Sequence, residues 1–238
     1  MALFARESEL DAVNAVLGRP GTGGALVLRG EAGVGKSALL DEAISTARRS
    51  DVRILTTAGV SLQMQQPFAA LSHLTRPLLD DPHLANRNRE TREVIRAAVA
   101  GQDEPARRPF SVAYAVLELL AAFATRQRLL VVVDDASWVD EESWRVLSFV
   151  GRRISFDEIA LVVAMRDGPE ADDRLRGSLL PTLRVEPLRD DAASALLHHV
   201  APDLRPRTRE RILVEAGGNP LGLLELADAV KRHGDSVV

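Results

Sequence analysis

Between an apolar run, Ala25–Gly30, and an amphipathic stretch, Ser37–Arg49, the chain reads Gly30-Glu31-Ala32-Gly33-Val34-Gly35-Lys36-Ser37. No other segment restricts the fold as strongly. The spacing is that of a loop that cradles phosphate between a strand and a helix. Such a loop turns its amide groups inward around phosphate oxygens, which requires the freedom of residues without a Cβ. A helix starting near Ser37 adds unpaired amides and the positive end of its dipole. On this reading the loop residues Glu31, Ala32, Gly33, Val34 and Gly35, with Ala38, contact phosphate through their backbone. Lys36 reaches the β- and γ-phosphates, and the Ser37 hydroxyl ligates Mg²⁺. Only two of the 238 residues are lysines, so a chance match has odds on the order of one in a thousand.

A phosphate loop needs a carboxylate opposite it. Leu129–Asp135, a pure apolar run closed by two aspartates, supplies one at the carboxyl end of a strand, where parallel sheets place ligands. Asp134 is the candidate metal-side residue, and Asp135 the candidate for orienting or deprotonating an attacking water. An Asp pair after a strand also suits a turn or helix cap, but its position about a hundred residues beyond a phosphate loop favours the metal reading. Asp140 reads as the cap of a helix beginning near Glu141. Arg166 closes another apolar run. It either reaches a γ-phosphate or pairs with Asp167 or a neighbouring acid, and its chemistry alone does not choose.

Strand candidates at 25–30, 52–57, 129–133, 159–165 and 183–185 alternate with helical patterns at 37–49, 110–124 and 141–153. This alternation predicts an α/β fold with a parallel, doubly wound sheet, that of a P-loop NTPase. The stretch 67–101 reads as helical but interrupted at Pro77, Pro82 and Gly101. After Pro187 three short helices are predicted with no strand between them. We therefore expect an α/β core over 1–187 and a small helical lid subdomain over 188–238. In the second of these, His198-His199 should turn one ring to the helical core and the other to water.

Other chemistries find little support. The chain has no cysteine, which excludes disulfides and thiolate metal sites. It shows no H-E-x-x-H spacing and no nucleophile elbow. A formal charge of −4 argues against direct DNA contact by this chain. No apolar run approaches the ~20 residues of a membrane helix, and the first residues lack the pattern of a secretion signal; the expected localisation is cytoplasmic.

Several motifs together carry a family resemblance: Arg6-Glu7-Ser8-Glu9-Leu10, the phosphate loop, Pro67-Phe68-Ala69-Ala70-Leu71, Asp134-Asp135-Ala136-Ser137-Trp138-Val139-Asp140-Glu141-Glu142-Ser143, Arg166, and Gly217-Gly218-Asn219-Pro220-Leu221. The chain resembles the STAND class of AAA+-related ATPases, and more closely the N-terminal ATPase domain of large LuxR-type transcription regulators. The resemblance implies an adenine nucleotide, ATP or ADP, held with Mg²⁺. It implies that Arg6 and Glu7 lie beside the adenine, that Arg166 senses the γ-phosphate, and that Gly218-Asn219-Pro220 opens a lid helix with Pro220 near the base or ribose. It also implies a slow, switch-like ATPase that self-associates and works with downstream domains of a longer chain.

Two positions depart from the family pattern. Ala5 stands where a glycine is usual, and Asp135 stands where fast hydrolases carry the longer glutamate. The alternatives are a multi-turnover remodelling ATPase, with Arg152-Arg153 as the pair offered to a neighbour's site, and a nucleotide-binding scaffold without hydrolysis.

Overall fold

In a computed structural model of the protein, the described residues are 3–18, 21–82, 89–101 and 109–234. Five parallel strands form one sheet: β1 (Gly24–Gly30), β2 (Arg53–Ala58), β3 (Leu129–Asp134), β4 (Ile159–Arg166) and β5 (Thr182–Arg184), in the order β2-β3-β4-β1-β5. Each predicted strand is present to within about a residue at its ends. The apolar runs lack alternation because both faces of the sheet are covered. Leu129, Val131 and Val133 of β3 face one core, while Leu130 and Val132 face the other.

Helices α1 (Glu7–Leu17) and α2 (Lys36–Arg49) cover the second face. The first is covered by α3 (Ala69–Leu79), α4 (Arg89–Val99), α5 (Pro109–Ala124) and α6 (Glu141–Gly151). Helix α7 (Pro169–Ser178) follows β4 and adds Ala171 and Leu175 to this core. Neither α1 nor α7 was anticipated from the sequence. Helix α7 has only Ala171 and Leu175 as core-facing apolar residues among charged neighbours, whereas α1 does carry an apolar stripe, Leu10, Val13 and Leu17, from which it could have been read. The interrupted stretch resolves into α3 and α4. Pro77 lies inside α3, two residues before its end, without ending it.

One junction ties the start of α3 to the start of α6. The Asp140 carboxylate caps α6 by accepting from Ser143 N (2.9 Å), as expected. It also accepts from Phe68 N (2.8 Å) and Ala70 N (3.1 Å) at the start of α3. Ser143 Oγ accepts from Leu71 N at 3.0 Å. Two stretches far apart in the chain, 67–71 and 138–143, are thereby a single structural joint.

A third core gathers α8 (Asp190–Val200), α9 (Pro206–Ala216) and α10 (Pro220–His233) around Leu196, Leu197, Ile212 and Leu223. The expectation for the histidine pair fails: His198 and His199 are both exposed. Ala192, Ala193, Leu196 and Leu197 fill the buried stripe of α8, so both rings lie beyond it. His199 packs instead against the Phe4 ring, with centroids 5.5 Å apart.

Candidate functional site

In the loop between β1 and α2, which encloses a hollow, the carbonyls of Gly30 to Val34 are each engaged by a protein donor. Gly33 (φ 79°) and Gly35 (φ 108°) take the left-handed backbone that the turn requires. Val34 is fully buried among the second-face side chains, which pins the loop to the core and leaves only its backbone for any ligand. Lys36 Nζ donates to the carbonyls of Gly30 (2.8 Å) and Glu31 (2.7 Å). Burial lowers the Lys36 ammonium below its ordinary pKa, with nearby Asp135 acting in the opposite direction. A cation held partly desolvated in this way gains strongly from an anion placed beside it.

Across the hollow, Ser37 Oγ donates to Asp134 Oδ2 at 3.0 Å. Asp135 adopts a left-handed backbone (φ 45°) and presents its carboxylate to Arg166. That pair is bidentate, Nε to Oδ1 at 3.0 Å and Nη2 to Oδ2 at 3.3 Å. The hydrogen bonds that Arg166 donates to Asp135 raise the guanidinium pKa, keeping Arg166 charged. Ser137 Oγ accepts from Arg166 N at 3.1 Å, fixing the end of β4 against the acidic turn. Arg166 thus pairs with Asp135 and not with its chain neighbour; Asp167 is engaged with Arg29 and Arg184.

One cleft of about 350 Å³ is lined by Ala32, Gly33, Gly35, Lys36, Ser37, Ala38, Asp134, Asp135, Arg166 and Pro220. Most of the predicted site residues therefore converge. Glu31 is exposed at the rim. Arg6 is buried behind the loop, donating to Glu9 Oε1 (2.6 Å) and to the Val34 carbonyl (2.9 Å). Ala5, the position where glycine is usual in the resembling family, has φ 49°, a backbone that disfavours a Cβ. Arg152 and Arg153 are tied within their own chain. Arg152 donates to the Ser178 carbonyl, and Arg153 stacks 3.7 Å over the Phe149 ring.

Leu224 was not anticipated, and Asn219 and Leu221, read only as part of the motif that opens a lid helix, were given no place in the site. Leu221 and Leu224 line the same cleft. Asn219 Oδ1 accepts from Leu221 N and Gly222 N, and its Nδ2 donates to the Ala32 carbonyl at 2.8 Å. An Asn followed by Pro at a helix start is a legible cap signal; its second bond, to a loop 187 residues earlier, is not.

This fold and site define a P-loop NTPase. The chain belongs to the AAA ATPase domain family, whose model matches residues 2–163. No curated protein sequence matches it. Among solved structures it is similar to a signal-transduction ATPase with numerous domains (STAND) carrying a tetratricopeptide-repeat sensor, from Pyrococcus horikoshii: TM-score 0.60, 16% identity, covering 93% of this chain and 29% of that one. AMPPCP-bound DnaA from Aquifex aeolicus aligns with TM-score 0.56 and 12% identity over 99% of this chain and 64% of its own. RuvB from Thermotoga maritima gives 0.54 and 15% over 97% and 64%. At such identities the likeness is one of fold, and this chain spans less than two thirds of each of these proteins. No helix among the described residues is long and apolar enough to cross a membrane.

Proposed function

We propose that this chain is the ATP-binding switch domain of a longer LuxR-type regulator, slow in hydrolysis, whose ATP or ADP state sets its conformation and self-association. The observation that carries this reading is the bidentate Asp135–Arg166 pair inside the phosphate cleft. It occupies the candidate base and the candidate γ-phosphate sensor with each other.

The residues present fit nucleotide and magnesium. The loop has its carbonyls engaged by protein donors and a partly desolvated Lys36, which suits a phosphate anion. Ser37 and Asp134 offer the hard oxygen donors that magnesium prefers. Magnesium, when bound, neutralises charge on the phosphate oxygens. Lys36 and the amides of 32–38 hold the β-phosphate. Arg166 turns from Asp135 to a terminal phosphate where one exists, a stronger anion for the same fork. Asp135 is then free to orient and deprotonate water. ADP offers no such competitor, so the pair persists. That difference supplies the differential affinity a switch needs.

We take residues 1–187 as the core and the helical part from 188 as the lid, with Pro220 beside the base or ribose and Arg6 supporting the adenine side. DNA contact, on this reading, belongs to downstream domains, and the chain works in the cytoplasm. Adenine is assigned by the family, and no guanine-reading N/T-K-x-D motif follows β3.

The test is to denature freshly purified protein, identify released nucleotide by chromatography, and compare hydrogen exchange over 188–234 with ATP and with ADP. Stoichiometric ADP and a lid protected differently by the two nucleotides are expected. Equal protection by both removes the switch.

A further inference from the structure

Each carbonyl from Gly30 to Val34 has a partner, and most of the partners come from well beyond the loop, Asp167 N also reaching the Gly30 carbonyl at 3.1 Å. Lys36 holds Gly30 and Glu31, Asn219 Nδ2 holds Ala32, Leu221 N holds Gly33 at 3.2 Å, and buried Arg6 holds Val34. Two of these bonds come from the first turn of α10. The approach there is close. A Cβ added at Gly33 would lie 2.7 Å from Asn219 Oδ1 and 2.8 Å from Leu221 Cβ. The orientation of the Asn219 amide follows from the network, because the cap amides of Leu221 and Gly222 require its oxygen and the Ala32 carbonyl requires its nitrogen.

We infer that Asn219 is a positioning residue for nucleotide binding: its amide nitrogen makes the phosphate-binding shape of the loop depend on the docked lid. The inference rests on the nucleotide-binding reading of this cleft. Carbonyls engaged by the protein leave the loop to offer its amides to an anion, and on the nucleotide-binding reading those amides meet the β-phosphate common to ADP and ATP. Loss of the Asn219–Ala32 bond therefore weakens both nucleotides alike, and it uncouples the lid from what the loop binds. Asp, Ser, Thr and Asn all serve as helix caps. Only the amide supplies an acceptor and a donor together at this reach, which explains an asparagine here beyond the needs of α10.

The experiment compares wild type with Asn219→Ser and Asn219→Thr, which keep a cap oxygen but have no Nδ2, and with Asn219→Ala, which loses both. Melting of the nucleotide-free protein, calorimetric ADP–Mg²⁺ affinity and hydrogen exchange of α10 are measured on each. The Ser and Thr variants are expected to melt with wild type while binding ADP about three- to tenfold more weakly, the worth of one neutral hydrogen bond. ADP should protect α10 in wild type and not in these variants. Wild-type affinity in Asn219→Ser overturns the inference. So does a loss of affinity that tracks melting temperature across all three variants, which marks Asn219 as a cap and nothing more. Absence of ADP binding by wild type overturns the function proposed above, and the role of Asn219 falls with it.

Discussion

Replacing Asp140 with alanine tests whether the acidic motif after β3 is chemistry or architecture. The carboxylate is 2% exposed and accepts from three backbone amides, those of Phe68, Ala70 and Ser143. A buried donor left without its acceptor costs about 1–3 kcal/mol. Water entering the space left by the side chain recovers part of this, so Asp140→Ala should lose about 3–5 kcal/mol. That is a large share of the ~5–15 kcal/mol that holds a domain together. Asp140→Asn keeps one acceptor but turns an NH₂ toward a donor, and should lose about half as much. Ser143→Ala removes the single bond to Leu71 N and should cost about 1 kcal/mol. Urea unfolding, followed by fluorescence of buried Trp144 on the capped helix, gives these values as midpoint shifts at constant slope. Below its unfolding range, each variant should bind nucleotide as wild type does. An Asp140→Asn protein of wild-type stability but without hydrolysis would refute the joint and make Asp140 a catalytic group.

Lys36→Ala should weaken triphosphate binding by about ten- to a hundredfold, the worth of hydrogen bonds to a charged group, while the protein stays folded; calorimetry and circular dichroism check both halves. Asp135→Asn should bind ATP normally yet hydrolyse it about 10²–10⁴-fold more slowly, as read by phosphate release. Its stability should barely move, because the Asp135 and Arg166 side chains are 39% and 46% exposed. Ala5→Gly relieves a left-handed backbone that costs a Cβ-bearing residue about 1–2 kcal/mol. Part of the gain is returned as unfolded-chain entropy, so a rise in melting temperature of roughly 1–4 °C is expected by calorimetry.

The sheet and the phosphate loop were legible because their signals are local. An apolar run, a glycine-rich turn and an amphipathic helix lie consecutively between Ala25 and Arg49, and Asp134 follows a run of five apolar residues. The histidine pair shows the limit of that reading. One ring could be assigned inward only if the buried stripe of α8 included it, and Leu196-Leu197 complete that stripe one residue before His198. Arg166 shows a second limit. Its candidate partners in sequence included Asp167, next to it. The pleat, the sheet order and the left-handed turn at Asp135 together bring it to a residue 31 positions away.

The groups that would do chemistry here, Lys36, Ser37 and Asp134, are common to phosphate loops of many kinds. The stretches that distinguish this chain serve placement instead. Residues 67–71 and 138–143 close one joint on Asp140, which fixes the turn carrying Asp135 from the side of α3. Residues 218–221 fix the loop from the opposite side, through Asn219 and Leu221, and Arg6 supports it from behind. The acidic turn and the phosphate loop also share an anchor at the end of β4, where Arg166 N donates to Ser137 Oγ and Asp167 N to the Gly30 carbonyl, and Ser37 bridges them across the cleft to Asp134. On the function proposed above, a ligand that draws Arg166 away from Asp135 acts at this shared end of β4, and the lid bonded to the loop is placed to respond.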